Sequence, residues 1–219
     1  MREELVVQEG YVGNEERLLT VLKTSLFFNG DGFAVYDSKG QLVFRFDSYG
    51  PRARDKDELV LMDPNGRSLL TLRRKKPSLH QRWEGFRGER RDGDKPVFSV
   101  KRSSIIGRAR TSVAVEVYDK AGVEYLIEGC FPQRWCKVLN AGKEAVAEIR
   151  RKVDPTTSVM LGKEVFWLCV KPGFDSAFAM GLVLALDQMN GEDYFDDRIV
   201  EAVVQPAAED PEIVSPVPV

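Results

Sequence analysis

The chain has 219 residues, with 32 Lys and Arg against 34 Asp and Glu and 43% hydrophobic side chains, an ordinary composition for a soluble globular protein. No apolar run follows Met1-Arg2-Glu3-Glu4, Arg2 stands at the second position, and the last residues are Pro216-Val217-Pro218-Val219, so no secretory signal, N-myristoylation or prenylation is expected. The net charge of −2 hides a basic middle, with 14 Lys/Arg against 4 Asp/Glu from Arg67 to Arg110, and an acidic end, with 8 Asp/Glu against Arg198 alone from Glu192 onward; such local fields select partners.

Strand signals recur at short spacing along the chain. Alternating or β-branched runs stand around 18–24, 33–36, 41–46, 59–62, 68–74 and 80–87, then around 97–102, 112–118, 123–128, 134–139, 144–151 and 165–170. The turns between them repeat one pattern: Asp37-Ser-Lys-Gly40, Asp63-Pro-Asn-Gly66 and Asp119-Lys-Ala-Gly122, with Asn140-Ala-Gly142 as a shorter version. Asp opens such turns by accepting backbone hydrogen bonds, and Gly supplies positive φ. An antiparallel meander of about twelve strands follows. Phe33-Ala-Val-Tyr-Asp37 and Val115-Glu-Val-Tyr-Asp119 suggest two related halves. The three cysteines, Cys130, Cys136 and Cys169, lack zinc spacing and read as reduced thiols in strands of an intracellular protein.

After the strands comes Ala177-Phe-Ala-Met-Gly-Leu-Val-Leu-Ala-Leu186, apolar on every side and bounded by Asp175 and Asp187. A helix with no polar face is buried all round, and this one is too short for a bilayer, which needs roughly 20 residues. A helix over about 175–190, capped by Asp175 or Ser176 and ended by Gly191, would be about 24 Å long. Strands of six or seven residues span about 20 Å. A closed barrel of that many strands has room for a central helix; a helix between two sheets of a sandwich is the alternative. Residues 193–204 read as a last strand or short helix, and the Pro-rich acidic stretch 205–219 as a disordered tail.

Several segments together resemble the plant LURP-one-related family. They are Ser25-Leu-Phe-Phe-Asn-Gly-Asp-Gly-Phe33, Val35-Tyr-Asp-Ser-Lys-Gly40, Leu42-Val-Phe-Arg-Phe-Asp47, Leu59-Val-Leu-Met-Asp63, Leu70-Thr-Leu-Arg-Arg74 and Leu79-His-Gln-Arg-Trp-Glu-Gly-Phe-Arg87. The resemblance runs from about Leu19 to Asn190 and implies the fold of the Tubby C-terminal domain and the phospholipid scramblases. That fold is a closed twelve-stranded antiparallel β-barrel enclosing a hydrophobic C-terminal helix. The domain so implied is 19–204, between an N-terminal segment 1–18 and the tail. The family is associated with plant defence, and Tubby domains bind phosphoinositides and are linked to transcription. Tubby's lipid-contacting residues have no position-by-position match here, and none is carried over.

The chemistry of the chain points to binding rather than catalysis. His80, the single histidine, stands in a candidate strand without a Cys or Ser nucleophile motif and reads as structural. No Gly-x-Ser-x-Gly, P-loop or dinucleotide fingerprint is present, so no cofactor is expected. Glu192, Asp193, Asp196 and Asp197 break the EF-hand order, and Asp92-Gly-Asp94 reads as a turn, so no metal is expected either. The best candidate is the basic band of Arg73, Arg74, Lys75, Lys76, Lys101, Arg102, Arg108 and Arg110. Neighbouring strands lie about 4.8 Å apart, and converged Lys and Arg grip phosphates. The bland alternative is a solvated surface that protects strand edges. The expected partner is an anionic lipid head group, a phosphoinositide first, at a peripheral plasma-membrane surface of a cytoplasmic monomer. A nuclear or signalling adaptor contacting nucleic acid or protein is the alternative.

Overall fold

The computed structural model describes residues 7–24, 32–47, 58–76, 82–103, 112–118 and 123–190, together with the helical backbone onward to residue 204. Twelve strands follow one another: β1 (Arg17–Leu22), β2 (Gly32–Tyr36), β3 (Leu42–Asp47), β4 (Glu58–Met62), β5 (Ser68–Arg74) and β6 (Trp83–Arg87). Then come β7 (Phe98–Arg102), β8 (Val113–Val117), β9 (Glu124–Cys130), β10 (Trp135–Leu139), β11 (Ala145–Arg151) and β12 (Val165–Val170). Each pairs antiparallel with its neighbours in the chain, and β1 pairs with β12 from Arg17↔Val170 to Leu22↔Val165, which closes the barrel. Closure removes the free edges that a twelve-stranded open sheet would expose.

The bore is filled by α1 (Ser176–Val204), whose residues from Ser176 to Leu186 are all buried. Phe178 of α1 meets Phe98 edge-on at 4.8 Å between ring centroids, Phe174 at 5.5 Å and Tyr125 at 5.8 Å. Two glycines set how closely the parts approach. A Cβ on Gly181 would stand 2.3 Å from Leu70 Cδ2, so α1 touches the wall at β5 there. A Cβ on Gly85 would stand 2.2 Å from the Phe98 ring, so β6 leaves the space that Phe98 occupies.

Asp175 is the N-cap, and it does more than cap. Its Oδ1 accepts hydrogen bonds from Ala177 N (2.7 Å) and Phe178 N (3.1 Å), and its Oδ2 from Val7 N (3.1 Å) and Gln8 N (2.9 Å). Burial pushes this carboxyl above its ordinary range, opposed by the four backbone N–H groups. Residues 7–16 thus lie across the helix start, with Ser176 Oγ donating to Tyr11 O at 2.9 Å.

Two local expectations are corrected. Gly191 does not end the helix, which continues to Val204. A helical Gly costs only about 1 kcal/mol, and no proline intervenes before Pro206, which disfavours helix at the residue before it. In the 140–144 turn the positive φ falls on Lys143 (62°) rather than on Gly142, because Asn140 Oδ1 accepts from Glu144 N and makes the turn one residue longer. The Asp37 and Asp63 turns form as expected, with Gly40 and Gly66 at φ 75° and 84°. Asp119–Gly122 lies outside the described residues.

Candidate functional site

An up-and-down meander sends alternate connections to opposite ends. The helix enters at one end, beside Arg17, and leaves at the other, where Arg102 Nη2 donates to Met189 O at 2.9 Å. The Asp37 and Asp63 turns both join strands at the entry end. The described residues of the connections there (37–41, 63–67, 88–97, 118, 123, 140–144 and 171–175) carry 7 Lys/Arg and 7 Asp/Glu. The described residues of the connections at the exit end (23–24, 75–76, 82, 103, 112, 131–134 and 152–164) carry 7 Lys/Arg and 2 Asp/Glu. The described exit-end connections are therefore net basic, while the stretch of α1 that follows Asn190 at the same end carries five Asp/Glu against Arg198.

Strand alternation splits the expected basic band. Arg73 sits on the outer face between Glu58 of β4 and Glu84 of β6, and is exposed. Arg74 stands opposite the buried Trp83 and so lies on the inner side of the wall. Lys75 and Lys76 are exposed at the rim, with Lys75 Nζ 2.9 Å from Glu84 Oε1. Lys101 is half-buried opposite Ala114, and Arg102 turns inward opposite Val113. The β6 start adds Arg82, 3.7 Å from Glu116 and bonded through Nη2 to Ser99 Oγ at 3.1 Å. Acidic partners thus interleave with the cations of this face; pairs of this exposed kind contribute about 0–1 kcal/mol each. Arg108, Arg110 and His80 lie outside the described residues, as do the side chains of Glu192, Asp193, Asp196 and Asp197.

The rim also gathers cations from distant parts of the sequence. Lys23 follows β1 and pairs with Asp187 of the helix at 3.1 Å. Lys152 donates to Thr20 Oγ1 at 3.0 Å, and Lys163 is exposed. Arg134 is 95% buried, with its guanidinium carbon 4.3 Å and 4.4 Å from the Phe131 and Phe166 ring centroids and Nε donating to Lys163 O at 2.8 Å. Burial pulls its pKa down. No local motif marks Lys23, Lys152 and Lys163; the parity of connections in a meander does, since every second connection shares an end. A cavity of about 770 Å³ opens at this same end, between Arg102, Val113, Phe131, Trp135 and Met189.

Elsewhere the chemistry is plain. Asp92-Gly-Asp94 forms a turn, with Asp94 Oδ2 accepting from Arg91 N at 2.7 Å. Among the described residues no group of three His, Cys, Asp or Glu is placed to hold a metal, and no helix is long and apolar enough to cross a membrane. All three cysteines are free thiols; Cys136 is buried and its pKa is pushed up to about 12, while Cys130 is exposed.

The family model described as LURP-one-related matches residues 17–187, the barrel and the enclosed part of α1. The chain belongs to the LURP-one-related family. Among its relatives in Arabidopsis thaliana, LURP-one-related 5 is 63% identical over 213 residues, covering 96% of this chain and 100% of that protein. LURP-one-related 12 is 58% identical over 210 residues, covering 96% and 94%. An X-ray structure of another Arabidopsis thaliana protein superposes with a TM-score of 0.63 at 24% identity, over 85% of this chain and 98% of that one, which supports the fold alone. None of these LURP-one-related names specifies a reaction.

Proposed function

We propose that this LURP-one-related protein is a non-enzymatic module that binds anionic phospholipid head groups, phosphoinositides first, in plant defence. The observation that carries the reading is the charge of the described connection residues: 7 Lys/Arg against 2 Asp/Glu at the exit end, and 7 against 7 at the entry end. Near an anionic leaflet each Lys or Arg contributes about 1 kcal/mol, so a handful at one end gives reversible attachment. The proposed contacts are Arg73, Arg74, Lys75, Lys76, Lys101 and Arg102, with Arg108 and Arg110 from the connection that follows. Lys75 and Lys76 are exposed at the rim, where they would meet a flat surface first. Arg102 lines the cavity at that end, whose volume lies in the range of small-ligand sites.

Sedimentation with phosphatidylcholine vesicles, with and without phosphatidylinositol bisphosphate, tests this. Preferential binding to the phosphoinositide vesicles, weakened by replacing Arg73, Arg74, Lys75 and Lys76, is the expected result. Equal binding to both vesicles at low salt refutes it. Salt-sensitive retention on DNA without vesicle binding also refutes it and favours the nucleic-acid adaptor instead.

A further inference from the structure

The barrel wall is thin beside the exit of α1. β9 runs on to Cys130, but β8 begins at Val113 opposite Ile127, so among the described residues Glu128, Gly129 and Cys130 pair with β10 alone. The inward-facing position of that stretch is Gly129, and its partner in the register is the buried Cys136. Only glycine fits there: its φ is 120°, and a Cβ would stand 2.2 Å from Trp135 O. A row made of glycine and cysteine puts little side-chain volume into the bore, and the cavity of about 770 Å³ lies where that volume is missing. Ile127, Phe131, Trp135, Leu186 and Met189 give it an apolar lining.

The charges at this cavity favour neither sign. Lys137 stands directly opposite Glu128 in the β9–β10 register, and Arg102 donates from Nη2 to Met189 O at 2.9 Å. The chain past Asn190 turns acidic, with Glu192 and Asp193 next. An anion would meet Glu128 and these acids as well as the cations, and a cation would meet Arg102 and Lys137. Either ion enters at a desolvation cost that an uncharged molecule avoids. Neutral polar groups are at hand: Ser112 and Asn190 line the cavity, and Asn190 offers its amide oxygen as an acceptor while Nδ2 donates to Leu186 O at 2.6 Å. We propose that this cavity binds an uncharged amphiphile, a small molecule with an aliphatic body and one hydroxyl or carbonyl group. The body lies against Leu186 and Met189, and the polar group meets Ser112 or Asn190. Lipid phosphates at the rim and an uncharged ligand inside the hollow are separate events, so the inference goes beyond the proposed function and stands or falls apart from it.

The probe is 1-decanol, set against decanoate and decyltrimethylammonium, which carry the same chain with a negative or a positive end, and against 1-hexanol. The full chain is used without vesicles. The readout is the rate at which Cys130, exposed and part of the cavity lining, reacts with an uncharged dithiodipyridine reagent at pH 8. Saturating decanol should slow this reaction about fivefold or more by blocking access. Half-protection should come at a concentration about tenfold or more below that of either ionic analogue. Hexanol, with a shorter chain, should bind more weakly by up to about fourfold per methylene lost. Cys136→Met should fill the hollow and remove the protection while Cys130 stays reactive. A decanol effect below about twofold, equal protection by decanoate, or protection that survives in Cys136→Met would overturn the inference. So would a Cys130 that is inert in the full chain and reacts only after residues 205–219 are removed, because the tail then fills the cavity.

Discussion

Asp175 holds the start of the central helix and the N-terminal segment with one carboxylate, and replacing it separates the two jobs. Asp175→Ala removes the acceptor for four backbone N–H groups in a residue with no exposed surface. Val7 and Gln8 lie near the chain start and can turn to water, but Ala177 N and Phe178 N stay inside the barrel mouth. An orphaned buried donor costs about 1–3 kcal/mol, and a lost N-cap about 0.5–2 kcal/mol, so about 3 kcal/mol is expected in all. For a chain of this size that is roughly 6–12 °C in melting temperature. Asp175→Asn keeps one carbonyl oxygen for the helix and should cost about half as much while freeing residues 7–8. Chemical denaturation gives the energies, and amide exchange at Val7 and Gln8 reports the release. A loss below about 1 kcal/mol in Asp175→Ala, or unchanged protection of Val7 and Gln8 in Asp175→Asn, would refute the reasoning.

Other expectations follow from the same contacts. Gly85→Ala drives a Cβ into the Phe98 ring and through it toward Phe178; a loss of about 1–3 kcal/mol by thermal melting is expected. Under native conditions at pH 8 one thiol, the exposed Cys130, should react with a disulfide reagent. Cys136, whose pKa is pushed up to about 12, has almost no thiolate there and should react only on unfolding or as the pH approaches that value. Deleting residues 205–219 removes three acidic groups that follow the exit-end helix. If this tail competes with lipid for the rim, partition into anionic vesicles should rise about two- to fivefold at low salt; an unchanged or lower partition would dismiss that competition.

The wall and its filling were legible because they rest on short-range periodicity. Alternation over five to seven residues marks each strand, and an all-apolar run such as Ala177–Leu186 has no surface on which to lie. The Asp37 and Asp63 turns were legible because a side-chain acceptor and a glycine at fixed spacing are local chemistry. The end of α1 was not: Gly191 looks like a stop, yet a glycine only weakens a helix, and the residues after it carry no stronger signal until Pro206. The basic band was half legible. Its composition is plain, but Arg73 and Arg74 point to opposite sides of one strand, and the acids that interleave with it come from β4, β6 and β8. Lys23, Lys152 and Lys163 join the rim through topology, which no window of sequence displays.

Moving charge at one end of the barrel and then the other tests the central claim most directly. Lys152→Glu with Lys163→Glu alters the rim where α1 leaves; Lys39→Glu with Lys143→Glu makes the same change in net charge among exposed turns at the opposite end. At about 1 kcal/mol per basic residue, the rim pair should weaken partition into phosphatidylserine-containing vesicles roughly 30-fold or more, and the opposite pair by less than about threefold. Equal losses from the two ends, or none from the rim, would contradict the account.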